Sequence, residues 1–325
     1  MMNIHWRFVG ACALAIGLVA GSASAQTGRF AVIVAGASGE EQYAKMHREW
    51  VDALVGVLKS KFAVDAANLT VLTETPKAGE LAANAANVKA AMEKVAPLVK
   101  ADDVLFVMLF GHGSGNGPEA KFNLVGPDLT AAEWNELLKP VAGRVAFIDA
   151  SSASIGFMKT LAAPDRVIVT ATNSAAQVYH PRFGQAFVES LTAAEADLDK
   201  NERVSVWEAF VFASKSIDAH YKREGTLATE KAMLDDTGTG TGRDAAAVST
   251  TATLASLTYI AAPKVEKSAD PAVQVLIDRR ETLSRQIDEL RRRQAGMPAS
   301  EFEQQFEKLA LDLALVSAEI RKKQP

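Results

Sequence analysis

Seven consecutive apolar residues, Val104 to Phe110 (VLFVMLF), followed at once by Gly111-His112-Gly113, constrain this chain more than any other stretch. Seven residues bounded by turn signals are short for a helix, and a strand without polar alternation has both of its faces covered. Parallel strands need crossovers, and crossovers lie over the sheet faces. The stretch therefore predicts an α/β domain with a mainly parallel sheet between helical layers.

The neighbouring segments fit that frame. Phe30 to Val34 reads as a strand running into the flexible loop Ala35-Gly36-Ala37-Ser38-Gly39, and Tyr43, Met46, Trp50, Leu54 and Leu58 then recur at helical spacing. Leu69 to Thr73 reads as a second strand, and Val88, Met92, Val95 and Val99 mark a helix over 87–100. Thr130 and Glu133 form a capping box, Arg144 to Ile148 and Arg166 to Thr170 read as further strands, and another helix is expected over 206–219. Alternating strands and helices imply right-handed crossovers. This domain extends to about residue 262.

Beyond a polar linker at 263–271 the pattern turns to long helix. Leu276, Leu283, Ile287 and Leu290 precede a break at Gly296-Met297-Pro298. Ser300 and Glu303 then read as the cap of a second helix carrying Phe302, Phe306, Leu309, Leu313, Val316 and Ile320. Residues 272–325 are thus a helical hairpin. It serves either as a packing arm of its own chain or as a coiled coil for homo-oligomerisation and docking.

Residues 1–25 hold Arg7, an apolar run from Phe8 to Ala20 and the small-residue end Ala23-Ser24-Ala25, the pattern of a cleavable signal peptide. The run is too short to span a bilayer, no later stretch is long enough, and the protein is expected in the periplasm or secreted. Val9-Gly10-Ala11-Cys12 faintly resembles a lipoprotein cleavage site, although the better apolar run follows it. The single cysteine, Cys12, lies within this leader, so the remainder has no disulfide and no thiol nucleophile. With 35 basic and 39 acidic residues and no basic block, nucleic acid is excluded as a partner.

In an open parallel sheet, ligands sit beyond the carboxyl ends of the strands, and two strand ends here deliver His112 and Ser151. The run GHGSGNG at 111–117 matches neither the dinucleotide fingerprint nor the P-loop, and no G-x-S-x-G elbow occurs anywhere. His112-Gly113 after one apolar strand, Asp149-Ala150-Ser151 after the next, FAVIVAGASG at 30–39 and VIVTATNS at 167–174 together resemble the legumain-type (asparaginyl endopeptidase) and caspase-like cysteine peptidases. The resemblance covers roughly 29–260 and implies a caspase-like three-layer domain. It also implies His112 as general base, the Gly113 amide as oxyanion donor and Ser151 at the nucleophile position. Asn173, Ser174 and Asp149 would line the substrate pocket.

The family's cysteine is absent, which rules out a cysteine peptidase. A serine needs a well-oriented base to accept its proton during attack, whereas a thiol ionises readily beside a histidine. Three readings follow: a pseudo-peptidase that binds peptides or protein partners, a serine-type peptidase or esterase using Ser151 and His112, and a structural envelope protein assembling through its hairpin.

A separate motif, DLDKNERVSVWE at 197–208, counts as a twelve-residue calcium loop. Asp197, Asp199, Asn201, Ser205 and Glu208 fall at positions 1, 3, 5, 9 and 12, with Glu202 where a glycine makes the sharp turn. The expectation is structural calcium and no catalytic cofactor, with a solvated acidic turn as the alternative.

Overall fold

The VLFVMLF run lies at the heart of the molecule. The structure, a computed structural model, describes residues 28–62, 64–247, 253–261, 268–293 and 297–323. The proposed leader, most of the linker and Gly296 lie outside these residues.

In chain order the elements are β1 (Arg29–Ala35), α1 (Glu41–Ser60), β2 (Leu69–Thr73), β3 (Leu81–Ala82), α2 (Ala85–Val95), β4 (Val104–Phe110), β5 (Gly113–Ser114), β6 (Lys121–Phe122), β7 (Leu129–Thr130), α3 (Ala131–Leu138), β8 (Arg144–Asp149), α4 (Ile155–Leu161), β9 (Arg166–Thr170), α5 (Phe183–Ser190), α6 (Val206–Glu224), β10 (Met233–Asp235), α7 (Pro271–Arg293) and α8 (Ala299–Lys323). Seven strands form one sheet in the order β10-β9-β8-β4-β1-β2-β3, and only β10 runs antiparallel. Strand β4 is central, with Ala31 opposite Phe106 on one side and Phe106 opposite Ala146 on the other, and every one of its residues is buried.

Alternate β4 residues feed two cores. Phe106, Met108 and Phe110 join Trp50, Leu54 and Leu58 of α1 and Phe183, Phe187 and Phe210 of α5 and α6. Leu105, Val107 and Leu109 join Val88 and Met92 of α2, Trp134 of α3 and Phe157 of α4. This is the period-2 rule acting on a strand covered on both faces.

Local chemistry sets the ends. The expected 87–100 helix closes at Val95 and gives way to one 3₁₀ turn, Ala96–Leu98, because Pro97 has no N–H for the α-helical ladder. Helix α6 runs past residue 219 to Glu224 and stops at Gly225, whose φ of 65° is the left-handed closing conformation. The Thr130–Glu133 capping box forms as expected. Helix α8 begins at Ala299, which puts Ser300 inside its first turn instead of at its cap. Val273 and Ile277 of α7 pack with Ile320 of α8, with Leu276 and Val316 against them. The expected ladder on α8 is therefore spent, at this end, on its own partner helix. No helix among the described residues is long and apolar enough to cross a membrane.

Candidate functional site

Because β4 and β8 are paired, with Leu109 opposite Asp149, the residues that follow them emerge side by side at the carboxyl edge. His112 and Ser151 share that edge but not a bond. Ser151 is 0% exposed. Its hydroxyl donates to Asp149 Oδ1 at 2.6 Å, and its N–H donates to the same oxygen at 3.0 Å. The segment is clamped further along, where Ala153 takes a φ of 52° and its N–H donates to the Gln177 carbonyl at 2.9 Å. Ser154 Oγ meets Thr172 Oγ1 at 3.1 Å.

Asp149 is itself 0% exposed, so it serves Ser151 and does not line an open pocket as expected. Burial lifts its carboxyl to about 6, against the opposing hydrogen bonds from Ser151. Its second oxygen, Oδ2, is buried without a hydrogen-bond partner.

Residues 112 and 113 part company. The Gly113 amide, the expected oxyanion donor, donates to Ser152 Oγ at 3.2 Å. A Cβ on Gly113 would stand 2.7 Å from the Ser152 carbonyl oxygen and 3.0 Å from Ser151 Oγ, so only glycine lets the two loops approach this closely. The His112 ring turns the other way, toward α1, with Nε2 against the Ser38 carbonyl oxygen at 3.1 Å. Ser38 is in turn held by Glu74 Oε2, which accepts from both its N–H and its hydroxyl. Asn173 and Ser174 are exposed in the segment after β9; the Asn173 N–H donates to Gln177 Oε1, and Ser174 Oγ accepts from the Ala176 N–H.

Around His112 the fold assembles two histidines that belong to none of the sequence motifs. His47 of α1 and His180 of the segment before α5 lie with His112 in one cluster, their ring centroids 5.0 Å apart for His47 and His180, 5.3 Å for His112 and His180, and 6.4 Å for His47 and His112. Tyr43 stacks on His180 at 4.4 Å, and Trp50 closes the far side at 5.5 Å. Burial first, then His180 and His112, push the His47 imidazole down to about 3. Burial first, then His112 and Arg182, push His180 down to about 4. Both rings are neutral at physiological pH. One signal was present in the sequence: Tyr43, His47, Trp50 and Leu54 follow the i, i+4, i+7, i+11 stripe, which puts a titratable ring on an apolar helix face.

Beside this cluster, a cleft of about 320 Å³ opens between Ala35 and Gly36 at the end of β1, Thr73 and Glu74 at the end of β2, and His47 and Arg48 of α1. Arg48 is fixed there by Glu80 at 2.7 Å and by Thr73 Oγ1 at 2.8 Å.

The acidic loop folds onto itself. Asp197, Asp199 and Glu208 each bring a carboxylate oxygen within 4.8 Å of the other two, the only such group among the described residues. Glu208 Oε1 accepts from the Leu198 and Asp199 N–H groups, and Oε2 from the N–H and hydroxyl of Ser205. Ser205 and Glu208 are thereby the capping box of α6. Asp197 accepts from the Asn201 and Glu202 amides, and Asn201 Nδ2 donates to Asp199 Oδ2. Glu202 adopts a φ of 65°, the conformation its missing glycine would have taken freely. Burial, then Glu208, raise the Asp199 carboxyl above its usual range.

No protein-family model matches the sequence, and no curated protein matches it. Among solved structures, one match is the crystal structure of protein GSU0716 from Geobacter sulfurreducens, at 12% identity and a TM-score of 0.42, covering 64% of this chain and 92% of that one.

Proposed function

We propose that this chain is an exported, caspase-like pseudo-peptidase that binds peptide segments or protein partners without hydrolysing them. One observation carries the reading. The serine at the nucleophile position is wholly buried and donates to Asp149, while the His112 ring turns toward the Ser38 carbonyl and makes no hydrogen bond to the serine, so the dyad that the resemblance implies is not assembled. The neighbouring cleft, with Thr73, Glu74 and Arg48 on its walls, supplies polar groups for an extended segment. Assembly through residues 272–325 belongs to the same reading and is checked by light scattering with and without the hairpin.

The test is chemical. A fluorophosphonate probe should leave Ser151 unlabelled, and the wild type should release no product from peptide or ester libraries. In Ser151→Cys the thiol should react with iodoacetamide at least about tenfold more slowly than free cysteine, because burial and the Asp149 carboxylate both raise a thiol pKa. Hydrolysis abolished by Ser151→Ala would replace this reading with a serine hydrolase.

A further inference from the structure

The three histidines present an unbalanced account of polar groups. Nδ1 and Nε2 of His47 and Nδ1 and Nε2 of His180 are all out of solvent and without a hydrogen-bond partner. A buried polar atom left unpaired is destabilising, and in a native fold it points to an unseen water or ion. His47 is 3% exposed, yet it sits at the edge of an open cleft beside two other imidazoles. We infer that His47, His112 and His180 form a binding site for a divalent transition-metal ion of the zinc type.

Imidazole nitrogen suits zinc, copper and nickel, and three such ligands leave one position of a tetrahedral ion open. With metal–nitrogen bonds of about 2.0–2.1 Å, ligating rings stand with centroids about 5 Å apart. The cluster has two of its three separations there, at 5.0 and 5.3 Å, and the third at 6.4 Å. Histidine ligands commonly donate their second N–H to a backbone carbonyl, which fixes the tautomer. His112 already does this. A carbonyl oxygen can only accept, so the 3.1 Å contact puts the proton on Nε2 and leaves the Nδ1 lone pair free to ligate. Glu74 holds Ser38 from behind.

As they stand, the rings of His47 and His180 are inclined by only 38°, and among the described residues only the carboxylates of the acidic loop converge within 4.8 Å. Capture therefore includes a turn of imidazole rings, that of His180 sliding between Tyr43 and Trp50, on an irregular segment beside the exposed Val178 and Tyr179. No proton has to leave His47 or His180 at neutral pH, because both are already neutral.

The inference does not depend on peptide binding and is tested without it. Tag-free full-length protein is titrated with zinc by calorimetry and with cobalt by visible absorption at neutral pH. One ion per chain and a visible band of tetrahedral cobalt are expected. His180→Ala should remove the band and weaken zinc by more than about 100-fold, beyond the 10–100-fold that outer-shell partners typically carry. Asp197→Ala should change neither. Should His47→Ala fail to fold, His112→Ala and His180→Ala each report on the cluster, with circular dichroism confirming the fold. Absence of zinc binding to the wild type, or binding that survives His180→Ala, would overturn the site.

Discussion

The acidic loop at 197–208 and the histidine cluster around His112 both gather polar side chains against apolar walls, and they are held in opposite ways. In the loop, Glu208 receives four hydrogen bonds, and Asp197 and Asp199 accept from the amides that follow them. In the cluster, four imidazole nitrogens receive none. In the loop, backbone and side-chain donors replace water around the carboxylate oxygens; around the nitrogens of His47 and His180 nothing does, and burial holds both rings neutral. Charge with partners stabilises a fold, and neutrality without partners leaves coordination capacity unspent. Asp149 stands between the two, with one oxygen satisfied by Ser151 and the other by nothing.

The largest effect should come from dismantling the saturated side. Glu208 is 2% exposed and caps α6 while also holding the Leu198 and Asp199 amides. Glu208→Ala removes the cap partner and strands buried donors, and should destabilise the protein by about 4 kcal/mol, read by urea denaturation. A loss below about 1 kcal/mol would mean that water replaces the carboxylate, and the contrast between the regions would shrink.

The difference in bonding matches a difference in what could be read beforehand. The clustering of Asp197, Asp199 and Glu208 was legible because they lie within twelve residues of one another, where spacing alone brings them together. The strands were legible for a similar reason: Leu69–Thr73, Val104–Phe110 and Arg166–Thr170 carry their burial in a local apolar run. His47, His112 and His180 follow β1, β4 and β9 at long intervals in the chain, and only the assembled sheet brings them together. The inward turn of Ser151 was equally hidden. It depends on Asp149 two residues earlier and on the Gln177 carbonyl from beyond β9, and strand periodicity reports on neither.

Asp149 offers a measure of the intermediate case. Its folded-state value of about 6 lies above the ordinary 3.8, so between these values the native protein binds a proton that the unfolded chain has released. Its contribution to stability is therefore fully present at low pH and is lost as pH rises through about 6, a swing of about 3 kcal/mol. Asp149→Asn keeps an oxygen for Ser151 and cannot ionise. Relative to wild type, the variant should gain about 2.4 kcal/mol between pH 4 and pH 7.5, the rest of the swing lying below pH 4. The Glu80 carboxyl, held down to about 2 by Arg48, Lys77 and Thr73 despite its burial, acts in the opposite direction but equally in both proteins, so it cancels. A pH-independent difference would show that the carboxyl titrates normally.

Calcium probes whether saturation excludes a ligand. The amides already occupy the carboxylate oxygens, so an ion must draw on the remaining lone pairs of Asp197, Asp199 and Glu208. Binding to the folded state alone should stabilise it by about 1.4 kcal/mol at ten times the dissociation constant. Thermal melts at millimolar calcium should show this increase in the wild type and not in Asp197→Ala. An unchanged melt in the wild type would make the loop a capping device and nothing more.

The smallest effect is the most discriminating. Replacing a hydrogen-bonded buried group strands its partner, but replacing an unpartnered one strands nothing and removes a desolvated polar atom. His180 stacks on Tyr43 at an inclination of 29° and on Trp50 at 21°, contacts that a phenyl ring can retain. In metal-free protein, His180→Phe should therefore leave stability within about 1 kcal/mol of wild type and on the favourable side, where Glu208→Ala loses several times that amount. One substitution removes a buried group with four partners and the other replaces one whose nitrogens have none, so the gap between them reports what those partners contribute. If His180→Phe instead costs as much as the glutamate change, the imidazole nitrogens are bonded to ordered water in solution. The cluster would then be a hydrated core feature, and the coordination capacity assigned to it would already be taken.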